Sequence, residues 1–229
     1  MAPVKRSPTQ RPSRAERARA TRLRITRAAY TLFCERGYVG TTVADIAHRA
    51  DVAVQTVYFT FHTKRALLSQ AYEYAVHGPD DPLPPGEQPW YAQMIAETNM
   101  TRAVRLMVEG SGEILRRATP LDTIVRASAD RDPDTARVRA LHERLRAHGY
   151  RDMLEVLRAK SALRTGLTVD RATQLLLLYV GMDVYRVLVD DFGWTHDEWV
   201  DWTIATLKEQ VFRGLRARSR AAKASPRTR

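Results

Sequence analysis

An all-α fold in two parts is what this sequence predicts, and three observations carry that reading. Ala, Leu, Arg and Glu dominate, runs of Val, Ile and Thr are scarce, and only 11 Gly and 11 Pro punctuate 229 residues, a composition that favours helix over strand. Apolar side chains recur at spacings of three and four along nearly the whole chain, the period of an amphipathic helix. Five prolines crowd into residues 78–89, where no helix can run unbroken. The expected architecture has about nine or ten helices: an N-terminal three-helix unit, a connecting helix, and a larger helical C-terminal domain.

Residues 1–13 hold three prolines and no apolar period, so they read as a flexible basic arm. The N-terminal domain is expected over 14–77. Ile25, Ala28, Ala29, Leu32 and Phe33 define a first helix that Gly37 can end in a left-handed conformation. Thr42 with Asp45 resembles a capping box opening a short second helix that ends near Ala50. A turn at Asp51 and Val52 leads to a third helix reaching about Thr60, and Thr63 can cap a fourth that fades near His77. After the 78–89 linker, helices are expected over 90–98 and 100–118. The latter carries Val104, Met107, Ser111, Ile114 and Leu115 on one face. Asp132 before Pro133 is a cap followed by proline at the first helical position, opening a helix with Val138, Leu141, Leu145, Gly149, Met153 and Leu157 in line. Thr168 caps an apolar helix reaching Phe192, and Thr195 with Glu198 opens a last helix striped by Val200, Ile204, Leu207, Val211 and Leu215. The C-terminal domain therefore spans 90–215, and 216–229 form a basic disordered tail.

Charge adds a functional clue. Eight basic side chains and one acid lie in residues 1–24, and seven basic and no acidic ones in 213–229, so the two ends together exceed the chain's net charge of +11 and the body between is slightly acidic. Basic ends flanking such a body suit a polyanionic partner, although solvated tails would look the same. The single cysteine, Cys34, cannot form an intrachain disulfide, and no secretory pattern opens the chain, which together point to a reducing cytoplasm. Residues 175–189 are the most apolar stretch, but Asp183 and Arg186 interrupt them and they fall short of the ~20 residues of a bilayer span. A buried helix, with no membrane partner, is the expectation.

The most informative segment is 41–64, TTVADIAHRADVAVQTVYFTFHTK. Two short helices separated by a tight turn let the second protrude, a geometry that fits the major groove of DNA. The ordered series from Leu32-Phe33-Cys34-Glu35-Arg36-Gly37-Tyr38, through Thr41-Thr42-Val43-Ala44-Asp45-Ile46-Ala47, Ala50-Asp51-Val52 and Thr56-Val57-Tyr58-Phe59-Thr60-Phe61, to Lys64 and Leu67 resembles the tetracycline-repressor (TetR) family of bacterial regulators. The helix-turn-helix motif itself covers about 42–61. The resemblance implies a cytoplasmic, nucleoid-associated homodimer acting as a sequence-specific repressor that a small-molecule effector releases from a palindromic double-stranded operator. It also implies that Thr42 and Lys64 face phosphates, Tyr58 and His62 reach backbone oxygens, and Val54, Gln55, Thr56 and Phe59 approach base edges. Gln55 can pair bidentately with adenine, Thr56 can offer hydroxyl or methyl, and Val54 can touch a thymine methyl. Phe59 could equally pack inward, while Val57 and Phe61 read as core. The family usually has glycine where Asp51 stands and serine or threonine where Ala53 stands. Asp tolerates the left-handed turn, but Ala53 cannot cap the recognition helix.

Other functions find less support. There is no phosphate-binding glycine fingerprint, and Gly110-Ser111-Gly112 lies within a helical pattern, where glycines allow close packing. His142 and His148 are six residues apart and would not share a helix face, so no metal, cofactor or catalytic residue is expected. A nonspecific nucleic-acid coat using the basic ends is the main alternative, with an enzyme far behind. Met94, Met107, Met153 and Met182, with His142, Gln174, Tyr179 and Asp183, are the candidate lining of an effector pocket, since methionine suits a plastic apolar cavity. Leu176, Val180, Val184, Val200, Ile204, Leu207 and Val211 are the candidate dimer interface, because a helix apolar nearly all round needs a second surface.

Overall fold

The computed structural model describes residues 13–79 and 83–213. The arm before Ser13, the 216–229 tail and Leu215 lie outside the described residues. Helices account for the fold, and the one β feature among the described residues is an isolated antiparallel bridge between Leu163 and Phe212.

The chain divides into two compact units, Met1–Tyr74 and Ala75–Arg229, so the division falls inside a helix, a few residues before the proline-rich stretch. Hydrogen bonds explain the shift. Arg117 Nε donates to the Ala75 carbonyl at 2.9 Å, and Gln88 Nε2 donates to the carbonyls of Val76 and His77 at 3.4 Å, which ties that last helical turn to the C-terminal unit.

In the N-terminal unit, α1 (Arg14–Arg36) opens on a Ser13–Glu16 capping box that the sequence reading did not pick out. It closes at Gly37, whose amide donates to Phe33 O at 2.9 Å. Gly37 has the positive φ expected of it, 73°, but a ψ of 170°, which is an extended, glycine-only conformation and not the left-handed helical one. Helix α2 (Val43–Arg49) begins with the Thr42–Asp45 capping box, α3 (Val54–Phe61) follows a tight turn, and α4 (Lys64–His77) carries the chain out of the unit. Thr63 Oγ1 accepts from Ala66 N at 3.1 Å. Ile25, Leu32, Phe33, Ile46, Val57, Phe61, Leu67 and Leu68 form the core, each 3% exposed or less.

The C-terminal unit holds α5 (Pro89–Ala96), α6 (Met100–Ala129), α7 (Pro133–Arg158), α8 (Val169–Tyr179), α9 (Met182–Arg186) with a π-helical turn at Val187–Asp191, and α10 (His196–Gln210). Asn99, Asp132, Thr168 and Thr195 cap α6, α7, α8 and α10 through side-chain oxygens. Gly110 and Gly112 do permit close packing: a Cβ on Gly110 would sit 2.2 Å from Trp90 Cδ2, and one on Gly112 would sit 2.8 Å from Trp199 Cζ3. The Trp90 indole is held by its bond to Gln88 Oε1 at 2.9 Å and has little freedom to yield. Gly110→Ala is therefore expected to cost about 1–3 kcal/mol through overpacking, despite alanine's better helix propensity, a loss that urea denaturation followed by circular dichroism would register.

Three sequence expectations need correction here. Helix α6 does not stop at Ala118 but runs through Pro120 to Ala129. The proline is exposed and forfeits one backbone bond, while Leu121, Asp122 and Val125 beyond it are buried on the inner face. The buried Asp122 is paired with Arg126 at 2.6 Å. In α7 the predicted stripe is off by one position in its middle: Leu141 and Leu145 are 37% and 57% exposed, and the inner face passes through His142 and Arg146 instead. The single apolar helix expected from Thr168 to Phe192 is broken at Val180–Gly181. A Cβ at Gly181 would meet the Leu177 carbonyl oxygen at 2.3 Å, and the Tyr150 hydroxyl donates to the Val180 carbonyl at 2.6 Å.

Residues Val169–Asp191 are long and apolar enough to cross a membrane by length and composition: their most apolar 18-residue window has a mean hydropathy of 1.4, and 39% of that window is buried. The break at Gly181 and the 3.1 Å Arg126–Asp183 ion pair to α6 tie the segment into the helical body instead. Helix α10 ends at Gln210, before the predicted stripe is complete, because the chain turns to bond the 162–164 loop: Arg164 N donates to Val211 O at 2.9 Å and Arg213 N to Ala162 O at 2.8 Å.

Candidate nucleic-acid interface

Local chemistry fixes the α2–turn–α3 corner. The Thr42 hydroxyl accepts from Asp45 N at 3.0 Å, and the Asp45 carboxylate accepts from Thr42 N at 2.9 Å and from Thr42 Oγ1 at 2.6 Å. Those Thr42 bonds hold the Asp45 carboxyl below its ordinary pKa. The buried Thr41 hydroxyl donates to Leu32 O at 3.1 Å and Gly37 O at 2.8 Å, anchoring the start of α2 to the end of α1. Arg49 grips Glu35 with two nitrogens at 2.7 and 3.1 Å. As an exposed pair it contributes at most ~1 kcal/mol, so it fixes orientation more than stability. Asp51 takes a φ of 52° in the turn, as Asp can.

Helix α3 then presents one face inward and another outward. Val57 and Phe61 are 1% and 3% exposed, whereas Val54, Tyr58 and Phe59 are 37%, 51% and 85% exposed. Gln55 is exposed and Thr56 half-buried. The inward alternative considered for Phe59 does not hold. His62 follows at a φ of 63°, a conformation costly for a non-glycine residue that turns the chain sharply: Thr63 N bonds Phe61 O at 2.7 Å. His62 and Thr42 are exposed, and Lys64 holds its ammonium 4.3 Å above the Tyr38 ring at the start of α4. Every residue expected to touch DNA thus lies on α3, at its C-cap, or at the start of α2 or α4. Arg22 was missed. Its guanidinium stacks 4.5 Å over Phe61 and donates to Thr60 O at 3.2 Å and Gln70 Oε1 at 2.5 Å, bracing the end of α3. No sequence spacing signals a contact 38 residues away.

The first turn of α3 has no side-chain cap and no acid, since Ala53 stands at its N-cap with φ −67° and ψ 147°. Those angles suit serine, so Ala53→Ser is expected to raise unfolding stability by about 1 kcal/mol, measured by urea denaturation.

The candidates in the C-terminal unit are not gathered into one site. Met94, Met107, Met153 and Met182 are packed in the core, each 6% exposed or less. Gln174 is exposed and accepts from Arg171 at 3.3 Å. Tyr179 stacks edge-on against Trp202, and Asp183 is a largely exposed partner of Arg126. His142 is the exception: it faces inward, and burial, with a smaller push from His77, brings its pKa down to about 4. A cleft of about 570 Å³ does open beside α5 and α6, but it is lined by Gln93, Glu97, Arg102, Arg105 and Glu109 among others, a charged groove and not the apolar pocket expected.

The proposed dimer stripe needs correction as well. Leu176, Val180, Val200, Ile204, Leu207 and Val211 are each 5% exposed or less within a single chain, so they are protomer core. Only Val184 is partly exposed. A period of 3.6 shows that a stripe is buried, not which surface buries it. No group of three or more His, Cys, Asp or Glu able to hold a metal occurs among the described residues.

A short helix protruding from a three-helix unit, with its outer face free and its inner face sealed, defines a helix-turn-helix DNA-binding transcriptional regulator. Residues 25–71 match the family described as Bacterial regulatory proteins, tetR family. The chain is 28% identical over 196 residues to the uncharacterized HTH-type transcriptional regulator YdeS of Bacillus subtilis (strain 168), covering 85% of this chain and 89% of that one. NalD, the secondary repressor of the MexAB-OprM multidrug efflux pump in Pseudomonas aeruginosa, shares the fold with a TM-score of 0.65 and 20% identity over 86% of this chain and 99% of NalD. A proposed regulator from Saccharomonospora viridis, solved in complex with choline, gives 0.62 and 16% over 85% and 98%. The family match covers the DNA-binding unit of this chain, and the solved regulators share the fold of the chain as a whole.

Proposed function

We propose that the protein is a homodimeric repressor that places α3 of each protomer in successive major grooves of a two-fold symmetric operator and leaves it when a small molecule binds the C-terminal unit. The observation that carries the DNA half is the exposed row Val54, Gln55, Tyr58 and Phe59 on a helix whose Val57 and Phe61 are sealed inside. Gln55 and Thr56 read base edges, Val54 and Phe59 meet thymine methyls, and Thr42, Tyr58, His62 and Lys64 hold the backbone.

Dimerisation falls to the outer face of α8 to α10, not to the buried stripe. Leu178 and Phe192 are 52% and 68% exposed there, beside the half-buried Val184 and the edge-stacked rings of Tyr179, Trp202 and Trp194. An apolar surface of that kind marks an interaction site. Such a regulator works in the cytoplasm and needs no catalytic group. Selecting bound sequences from random DNA tests the reading: it expects one symmetric site whose half-site centres lie ~34–36 Å apart or a multiple of it, occupied by an even number of protomers. Recovery of no preferred sequence would favour a nonspecific coat.

A further inference from the structure

Arg22 closes a triangle in the N-terminal unit. Only His62 and Thr63 separate the end of α3 from the start of α4, and His62 stands there at a φ of 63°, so the two helices meet at a sharp corner. From α1, the Arg22 guanidinium reaches both arms of that corner. One terminal nitrogen donates to the Thr60 carbonyl in the last turn of α3 at 3.2 Å, and the other donates to Gln70 Oε1 on α4 at 2.5 Å. The group also lies 4.5 Å from the centroid of the Phe61 ring. Glu73 sets the far anchor: its carboxylate accepts from Gln70 Nε2 at 2.9 Å, which leaves the amide oxygen to face Arg22.

Helical patterning alone would not place an arginine here. Arg22 lies one turn before the buried Ile25 and Thr26 and shares their side of α1, where an apolar residue would extend the inner face. Arginine suits a different task. Its planar fork can hold two acceptors at once while stacking on a ring, which the single ammonium of lysine cannot do. The Thr60 carbonyl belongs to the final turn of α3, where carbonyls lack partners within the helix and the helix dipole favours a cation. At the opposite end, no side-chain cap holds the first turn of α3. Arg22 thus ties the C-terminal end of α3 to both α1 and α4.

We propose that Arg22 is a positioning residue for operator recognition: as a strut from Thr60 to Gln70 it fixes the angle between α3 and α4, and with it the tilt at which Gln55 meets a base edge. This rests on the reading of α3 as the recognition helix. With a rise of about 1.5 Å per residue, Gln55 stands about 8 Å along the axis from Thr60, so a tilt of about 10° moves it by more than ~1 Å, enough to spoil a bidentate hydrogen bond. Opening the strut therefore weakens sequence reading more than it weakens the general attraction to phosphates. Arg22 is exposed, so the fold itself depends on it little.

The test measures the affinity of the full-length protein for the selected operator and for random DNA, in wild type, Arg22→Lys, Gln70→Leu and the double variant, at a temperature where circular dichroism shows each fully folded. Each single variant is expected to lose about ten-fold on the operator and under about two-fold on random DNA. The double variant should lose no more than either single one, because both changes open the same link. Added to Gln55→Ala, Arg22→Lys should cost about three-fold or less, since the main contact it aligns is already gone. Retained operator affinity in Arg22→Lys would overturn the proposal, because lysine keeps the charge that a plain phosphate contact needs. Equal losses on operator and random DNA, or additive losses in the double variant, would overturn it too. Should Arg22→Lys not fold, Gln70→Leu carries the test, and full operator affinity there overturns the strut. A wild type that fails to prefer the selected operator, or a Gln55→Ala variant that binds it as well as wild type, would overturn the recognition-helix reading and the proposal with it, whereas a discriminating wild type matched by Arg22→Lys would overturn the proposal alone.

Discussion

Leu207→Asp is expected to abolish folding of the protomer. Leu207 is fully buried in α10 between Thr203, Ile204 and Val211, all of them buried too. An aspartate there loses the packing of a leucine and buries an unpaired charge, a combined loss above ~4 kcal/mol that rivals the whole stability of a domain. Leu178→Asp is expected to behave otherwise. Its side chain is already 52% exposed, so the fold should survive, and the charge should instead break the proposed pairing surface. Circular dichroism should then show native helix for Leu178→Asp and a collapsed signal for Leu207→Asp, and light scattering should find the former monomeric with lost operator binding. A folded Leu207→Asp monomer would restore the buried stripe as the interface.

Phe59→Asp is expected to remove operator binding by about 100-fold or more while leaving the melting temperature within a degree or two. The side chain is 85% exposed, so nothing in the core depends on it. On the DNA side, an added carboxylate would face the phosphate-lined groove and lose an apolar contact, two penalties of ~1–3 kcal/mol each. Gel-shift titration beside thermal melting separates the effects. A large fall in melting temperature would show that Phe59 supports the fold and does not face DNA.

Local chemistry was legible from the residues, and surfaces were not. The Thr42–Asp45 and Thr195–Glu198 boxes, the Asp132–Pro133 start and the Asp51 turn all depend on side chains within three residues of the backbone they serve, so one sequence suffices to place them. The protruding α3 follows from the same boundaries. What failed depends on partners distant in sequence. Pro120 reads as a stop until the buried residues beyond it outweigh one lost bond. The α8 break needs Tyr150, thirty residues away, to satisfy the Val180 carbonyl. His142 and Arg146 face inward against the apolar pattern, and the Leu207 stripe proves to be core because periodicity carries no information about which neighbour covers it.

The central claim, that α3 reads base edges, is tested most directly by comparing wild type and Gln55→Ala on the selected operator, on that operator with its A·T contact replaced, and on random DNA, all at one salt concentration. Gln55 is exposed on α3, and among the described residues no side-chain hydrogen bond to it is present. The account predicts a loss of about 1–3 kcal/mol on the cognate operator, little on the substituted one and little on random DNA. An equal loss on all three would mean that Gln55 only supports backbone contacts, and would contradict the reading of α3 as the recognition helix.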